Sequence, residues 1–209
     1  MQIAEITEIW MQLAARTGCT TTYANTGIRN IIRQYSAAGR HYHNMDHLGD
    51  LLCLQQHYAP EIIDNDSVLH AIFFHDIIYS ATRKDNEERS AQEAVRYLQN
   101  TRCPVEKQQK VYRYITATAQ HQNPLADPDL DYLLDFDLHI LGATPGQYDA
   151  YTKQIRKEYW IYPAFMYNKG RKSVLQHFLS QPHIYKTAAF REKYEQKARE
   201  NLERELDAL

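Results

Sequence analysis

Apolar residues along this chain recur every three or four positions rather than every two, and that period predicts helices almost throughout. An amphipathic helix is expected over about residues 2–16, another over 25–37, and a third from near Asn44 to just before Pro60. Asp66 or Ser67 is placed to cap a fourth over 68–79, and a fifth covers roughly 86–100. Pro104 suits the first turn of a sixth, which runs to about Gln120, and the stretch 121–129 is a loop. Residues 130–141 are again helical, with Gly142 as a natural C-terminal cap. Segments 146–161 and 171–180 follow, and a long final helix sets Phe190, Tyr194, Ala198, Leu202 and Leu206 at every fourth position. No repeat, linker or low-complexity stretch intervenes. The expected fold class is all-α, one helical domain over 1–209, with its core in about 40–142 and helices 146–209 packed on it.

Composition narrows the functions. The 209 residues are 44% hydrophobic, enough for a continuous core and too much for a disordered chain. The net charge of -2 comes from intermixed acids and bases, without the basic stripe of a protein that binds a nucleic-acid polymer. A small anionic substrate stays open, since a few local arginines suffice to hold a phosphate. Cys19, Cys53 and Cys103 are scattered and form no CxxC pair, so they are expected as reduced thiols. The first residues alternate apolar and charged groups, with no signal-peptide pattern and no membrane span anywhere. The expected location is the cytoplasm.

Chemistry enters where metal-binding side chains fall in phase with apolar stripes. His47 shares a helical face with Leu51, Leu54 and Tyr58, and His75 shares one with Val68, Ala71, Ile72 and Ile78. Asp76 sits beside His75, and Asp137 falls in line with Leu130, Leu133, Leu134 and Leu141. An ionised carboxylate directed at a core costs several kcal/mol unless it is paired or binds a metal. Each residue alone has an ordinary reading: a core histidine with hydrogen bonds, or an aspartate capping a neighbouring helix. Together, two imidazoles and two carboxylates would give an N/O ligand set for one divalent transition metal, Mn, Fe, Co or Ni, with Mg or Zn also compatible. Solvent in the remaining positions is what a hydrolytic metal needs.

The order His47, then His75-Asp76 28 residues on, then Asp137 resembles the HD superfamily of metal-dependent phosphohydrolases. Segments RHYHNMDHL (40–48), FFHDIIYSATRKDNEERSA (73–91), DFDLHILG (135–142), IRKEY (155–159) and the tail 184–209 are similar to a bacterial group of predicted stand-alone HD phosphohydrolases. The resemblance spans nearly all of the chain past residue 25. It implies an orthogonal helical HD core, the four ligands His47, His75, Asp76 and Asp137, and phosphate-ester hydrolysis as a class without a named substrate.

Further residues have two readings each. His43 is an alternative ligand or an orienting neighbour of His47, and His121 is a further ligand, a phosphate contact or a surface histidine. Glu87 is a candidate general acid/base, Asp76 a candidate water-orienting group and Asn86 a substrate donor, whereas Asp85 with Glu88 also fits a capping box. Arg40, Arg156, Lys169 and Arg171 are candidates for phosphate recognition, or else solvated charges.

The expected activity is hydrolysis of a small phosphorylated substrate by a metal-activated water. A di-iron oxygenase on the same scaffold would carry two more histidines between Asp76 and Asp137, where only His121 stands. No GYP extension for cyclic dinucleotides is present, and Ile-Ile-Tyr replaces the Glu-Asp pair expected for alarmone hydrolysis. A non-catalytic nucleotide-binding or interaction module with a structural metal is the third reading. The amphipathic final helix covers the chain's own core or pairs two copies in a homodimer.

Overall fold

The structure, a computed structural model, describes all residues from Met1 to Leu209 and consists of helices and connecting turns without strands. The expected all-α class holds. Its contacts define two compact units, Met1–Leu133 and Leu134–Leu209, and the division falls inside one continuous helix.

In the first unit α1 (Ile3–Arg16) buries Ile6, Trp10, Leu13 and Ala14 as a helical stripe. Helix α2 (Thr21–Tyr35) starts earlier than its apolar pattern suggests, because the Thr20 hydroxyl accepts the Tyr23 N–H at 3.4 Å. Gly27 lets α2 come close: a Cβ there would stand 2.7 Å from Trp10 and 2.8 Å from Tyr97. The Trp10 indole N–H, fully buried, donates to the Ala24 carbonyl at 2.8 Å.

Helix α3 (Met45–Tyr58) is capped by Asn44, whose side-chain oxygen accepts from the Asp46 and His47 amides. Helix α4 (Asn65–Phe74) is capped by Asp64 rather than by Asp66 or Ser67, through the Ser67 amide and hydroxyl. From Ser67 to Phe74 every residue of α4 is buried, as befits a central helix packed against α3 and against α5 (Asn86–Leu98) and α6 (Val105–Ala117). The capping box expected at Asp85 is not made. Asp85 is exposed and pairs with Arg83, while Glu88 accepts from Tyr112 and Gln92. Helix α7 (Pro128–Leu138) closes the unit with Leu130 and Leu133 fully buried.

The second unit continues from α7 into a 3-10 turn (His139–Gly142), then α8 (Pro145–Glu158), α9 (Ala164–Ser180) and α10 (Ala188–Ala208). Helix α9 starts seven residues before the expected 171. Helix α10 packs on the turn and on α9, burying Phe190, Ala198 and Leu202 and half-burying Tyr194 and Leu206. Its entry is held by carboxylates: Asp135 accepts from the Lys186 and Thr187 amides at 2.7 and 2.8 Å, and Glu195 from Ile184 and Tyr185. Gly142 does not end its turn in the left-handed conformation expected of a cap. It is small because α10 lies against it: a Cβ would meet Tyr194 Cβ at 2.6 Å and the Tyr194 carbonyl at 2.8 Å. No helix is long and apolar enough to cross a membrane.

Candidate metal centre

His47 stands at the third position of α3, two percent exposed, with its backbone pinned by the Asn44 cap. The expected helix over 68–79 ends sooner, at Phe74, so His75 and Asp76 lie in the turn that follows α4. His75 is still attached to that helix, since its amide donates to the Ala71 carbonyl at 2.8 Å. The two rings meet with Nε2 atoms 3.2 Å apart, and Asp76 Oδ2 lies 3.1 Å from His75 Nε2 and 3.7 Å from His47 Nε2.

The tautomer of His75 turns this geometry into chemistry. Its Nδ1 lies 2.8 Å from the Ile72 carbonyl, an acceptor, so Nδ1 carries the proton of the neutral ring and Nε2 presents a lone pair. That lone pair faces a carboxylate oxygen, and two acceptors at such a distance repel unless a cation or an added proton lies between them. Bonds of about 2.1 Å set neighbouring ligand atoms about 3.0 Å apart in octahedral and about 3.4 Å apart in tetrahedral geometry. The observed separations, 3.1, 3.2 and 3.7 Å, lie within a few tenths of an ångström of those values, so the residues fit a bound divalent cation.

Asp137, the fourth expected ligand, lies past the Leu133–Leu134 division, in the second unit, and is half-buried. It lies one turn beyond Leu133 on α7. Its neighbours on that helix have other tasks. Asp135 holds the start of α10, and buried Asp129 accepts from the Ile63 and Asp64 amides. The histidine side chains are 1% exposed and Asp76 13%, so the imidazoles are closed off and the carboxylate meets solvent.

Arg40, expected to contact phosphate, instead clamps the turn. Its guanidinium donates to the carbonyls of His43, Asp76 and Ile77 at 3.0, 2.6 and 2.9 Å and lies over the Tyr35 and Tyr79 rings. The Asp76 amide donates to the Tyr35 hydroxyl at 3.3 Å. Asn86, expected to face substrate, holds the Ser80 amide and carbonyl, and Ser90 does the same for Ile78. His43 stacks on Tyr79 at 4.2 Å beside the His47 ring and is not among the clustered ligands. Arg40, Tyr35 and Ser90 are positioning residues that sequence reasoning missed in that role.

The remaining candidates lie elsewhere. Glu87 occupies the second position of α5, half-buried. His121 adopts left-handed backbone, φ 49°, after α6 and is not in the cluster. Arg171 forms a buried bidentate pair with Glu205 at 2.7 and 2.8 Å and lies over Tyr151, so its fork is filled. Burial opposes its charge, but Tyr151, Glu205 and Tyr148 outweigh that and hold it charged. Arg156 donates to the Tyr159 and Tyr162 carbonyls, and Lys169 is exposed on α9. No protein-family model matches the chain, and neither a curated protein nor a solved structure does.

Proposed function

We propose that this chain is a cytoplasmic metal-dependent phosphohydrolase of the HD type, with one divalent transition metal held by His47, His75, Asp76 and Asp137. The observation that carries the reading is the face-to-face placement of two acceptors: His75 Nε2, deprived of its proton by the Ile72 carbonyl, stands 3.1 Å from Asp76 Oδ2, with His47 Nε2 3.2 Å away. The ordered motif in the sequence supports the same assignment independently. The substrate in this reading is a small phosphate ester, a nucleotide or a related phosphomonoester.

When bound, the ion lowers the pKa of a water and offsets charge on a phosphoryl oxygen. The chain supplies orientation and exclusion. Ile72 fixes the His75 ring through Nδ1, Arg40 and Tyr35 fix the backbone that carries Asp76, and burial of both imidazoles keeps bulk water from them. Asp76, on the solvent-facing side, is the group that orients the attacking water. The arginines first considered for phosphate contacts have other partners, so Arg40 and Arg171 are left out of substrate binding. Between Asp76 and Asp137 only His121 stands where a di-iron oxygenase would carry two more histidines, which favours a mononuclear hydrolase.

Chelator-treated protein, reloaded with Mn, Co or Ni, is to be assayed against phosphomonoesters, nucleotides and phosphodiesters. The reading predicts metal-dependent release of phosphate or a phosphorylated product, reduced at least about a hundredfold by Asp76→Asn with the helical circular dichroism unchanged. Metal-loaded protein that turns over nothing in the panel overturns it.

A further inference from the structure

The turn joining α8 to α9 presents apolar side chains to solvent on a rigid base. Trp160 and Phe165 are each 74% exposed, Ile161 55% and Met166 49%. Isolated exposed apolar residues are ordinary, but four large ones within seven positions form a patch of the kind that marks a binding surface. The turn is held in shape from beneath. Arg156 donates to the Tyr159 carbonyl at 2.8 Å and the Tyr162 carbonyl at 3.0 Å, and its guanidinium lies over the Tyr167 ring at 4.8 Å. Tyr159 contacts both Tyr162 and Tyr167, so a small aromatic cluster backs the tip.

Lysines surround it. Lys153 and Lys157 lie near the end of α8, and Lys169 and Lys172 near the start of α9, within about 12 Å of the helix ends by helical rise. None of the four is in an ion pair. The acids of the region are occupied or out of reach: Glu158 is buried, Asp149 pairs with Arg204 and Glu205 with Arg171. A protein of net charge -2 thus carries a local excess of positive charge around an apolar tip.

We infer that this tip docks on an anionic lipid surface, with Trp160, Ile161, Phe165 and Met166 entering the interface and the four lysines meeting acidic headgroups. Aromatic residues with flanking lysines suit the boundary between headgroup and acyl chain, and each lysine near an acidic leaflet adds to the attraction. A second copy on the same face is disfavoured by charge, since a two-fold contact would set the lysines against each other. It is disfavoured by size too: the four side chains offer on the order of 500 Å², below the roughly 800 Å² per partner of a stable interface.

The full-length protein is to be sedimented with phosphatidylcholine vesicles that contain or lack about one third phosphatidylserine. Binding is expected to the acidic vesicles only, to weaken with salt, and to shift Trp160 emission to the blue. Trp10, the other tryptophan, is fully buried and serves as an internal constant. Trp160→Ala with Phe165→Ala, and separately Lys157→Glu with Lys169→Glu, are each expected to weaken partitioning more than tenfold without altering the circular dichroism. Absence of vesicle binding overturns the inference, as does binding that survives the Trp160 and Phe165 substitutions. A dimer in solution that those substitutions dissociate, without vesicle binding, assigns the tip to a second copy instead.

Discussion

Two buried imidazoles five positions apart treat their nitrogens differently. His75 gives Nδ1 to the Ile72 carbonyl and aims Nε2 at other ligands, whereas His70 lies edge-on to Trp10 with neither nitrogen hydrogen-bonded. Burial, with a smaller contribution from the Arg16 charge, pushes the His70 pKa down to about 3. The unfolded chain, with an ordinary histidine pKa near 6.5, binds this proton over a range where the folded chain does not. His70 therefore contributes stability that is complete above about pH 6.5 and is lost as the pH falls toward 3, with a slope approaching about 1.4 kcal/mol per pH unit. Urea titrations between pH 7 and 4 check this: His70→Phe is expected to flatten that component, and an unchanged slope contradicts it. The sequence singled out the candidate ligands but not these distinctions. Helical phase points His47, His75 and Asp137 inward; the two histidines are buried, whereas Asp137 is only half-buried. The partners of Arg40 are backbone carbonyls, which leave no residue pattern to find, so its clamp on the Asp76 turn was invisible and a phosphate contact was the natural expectation.

Helices were visible where side chains alone decide them, and their ends were not where distant groups decide them. Ile77, Ile78 and Tyr79 continue the apolar pattern of α4, yet the helix stops at Phe74 because Arg40 takes the Asp76 and Ile77 carbonyls and Ser90 takes both polar groups of Ile78. Releasing the chain there turns Asp76 toward the histidines, so the early end of the helix serves the site. Gly142 is a similar case. As a supposed cap it would tolerate Asn or even Ala at modest cost, but its contact with Tyr194 involves Cβ and backbone atoms that cannot rotate away. Gly142→Ala is expected to destabilise the protein by about 1–3 kcal/mol through displacement of α10. Thermal unfolding checks this, and a neutral or stabilising substitution would mean that α10 does not approach as closely as described.

At the level of the whole chain, the even spread of helical periodicity made the all-α class plain from sequence. The division at Leu133–Leu134 lies within α7 and thus has no linker, glycine or shift in composition to announce it. Helix α7 accordingly does several jobs along its length: Leu130 and Leu133 fill the core of the first unit, and Asp129 and Asp135 hold backbone amides. Asp135 and Asp137 are chemically identical and two positions apart, and only the fold shows that Asp135 anchors the start of α10. The central claim is that a shared cation binds these groups, and it is tested most directly by metal content. Protein stripped, reloaded with Mn and freed of excess should retain about one ion per chain, and His75→Ala, Asp76→Ala and Asp137→Ala should each retain far less while remaining helical. Wild-type protein that holds no ion under these conditions, or variants that hold as much as wild type, would contradict the account.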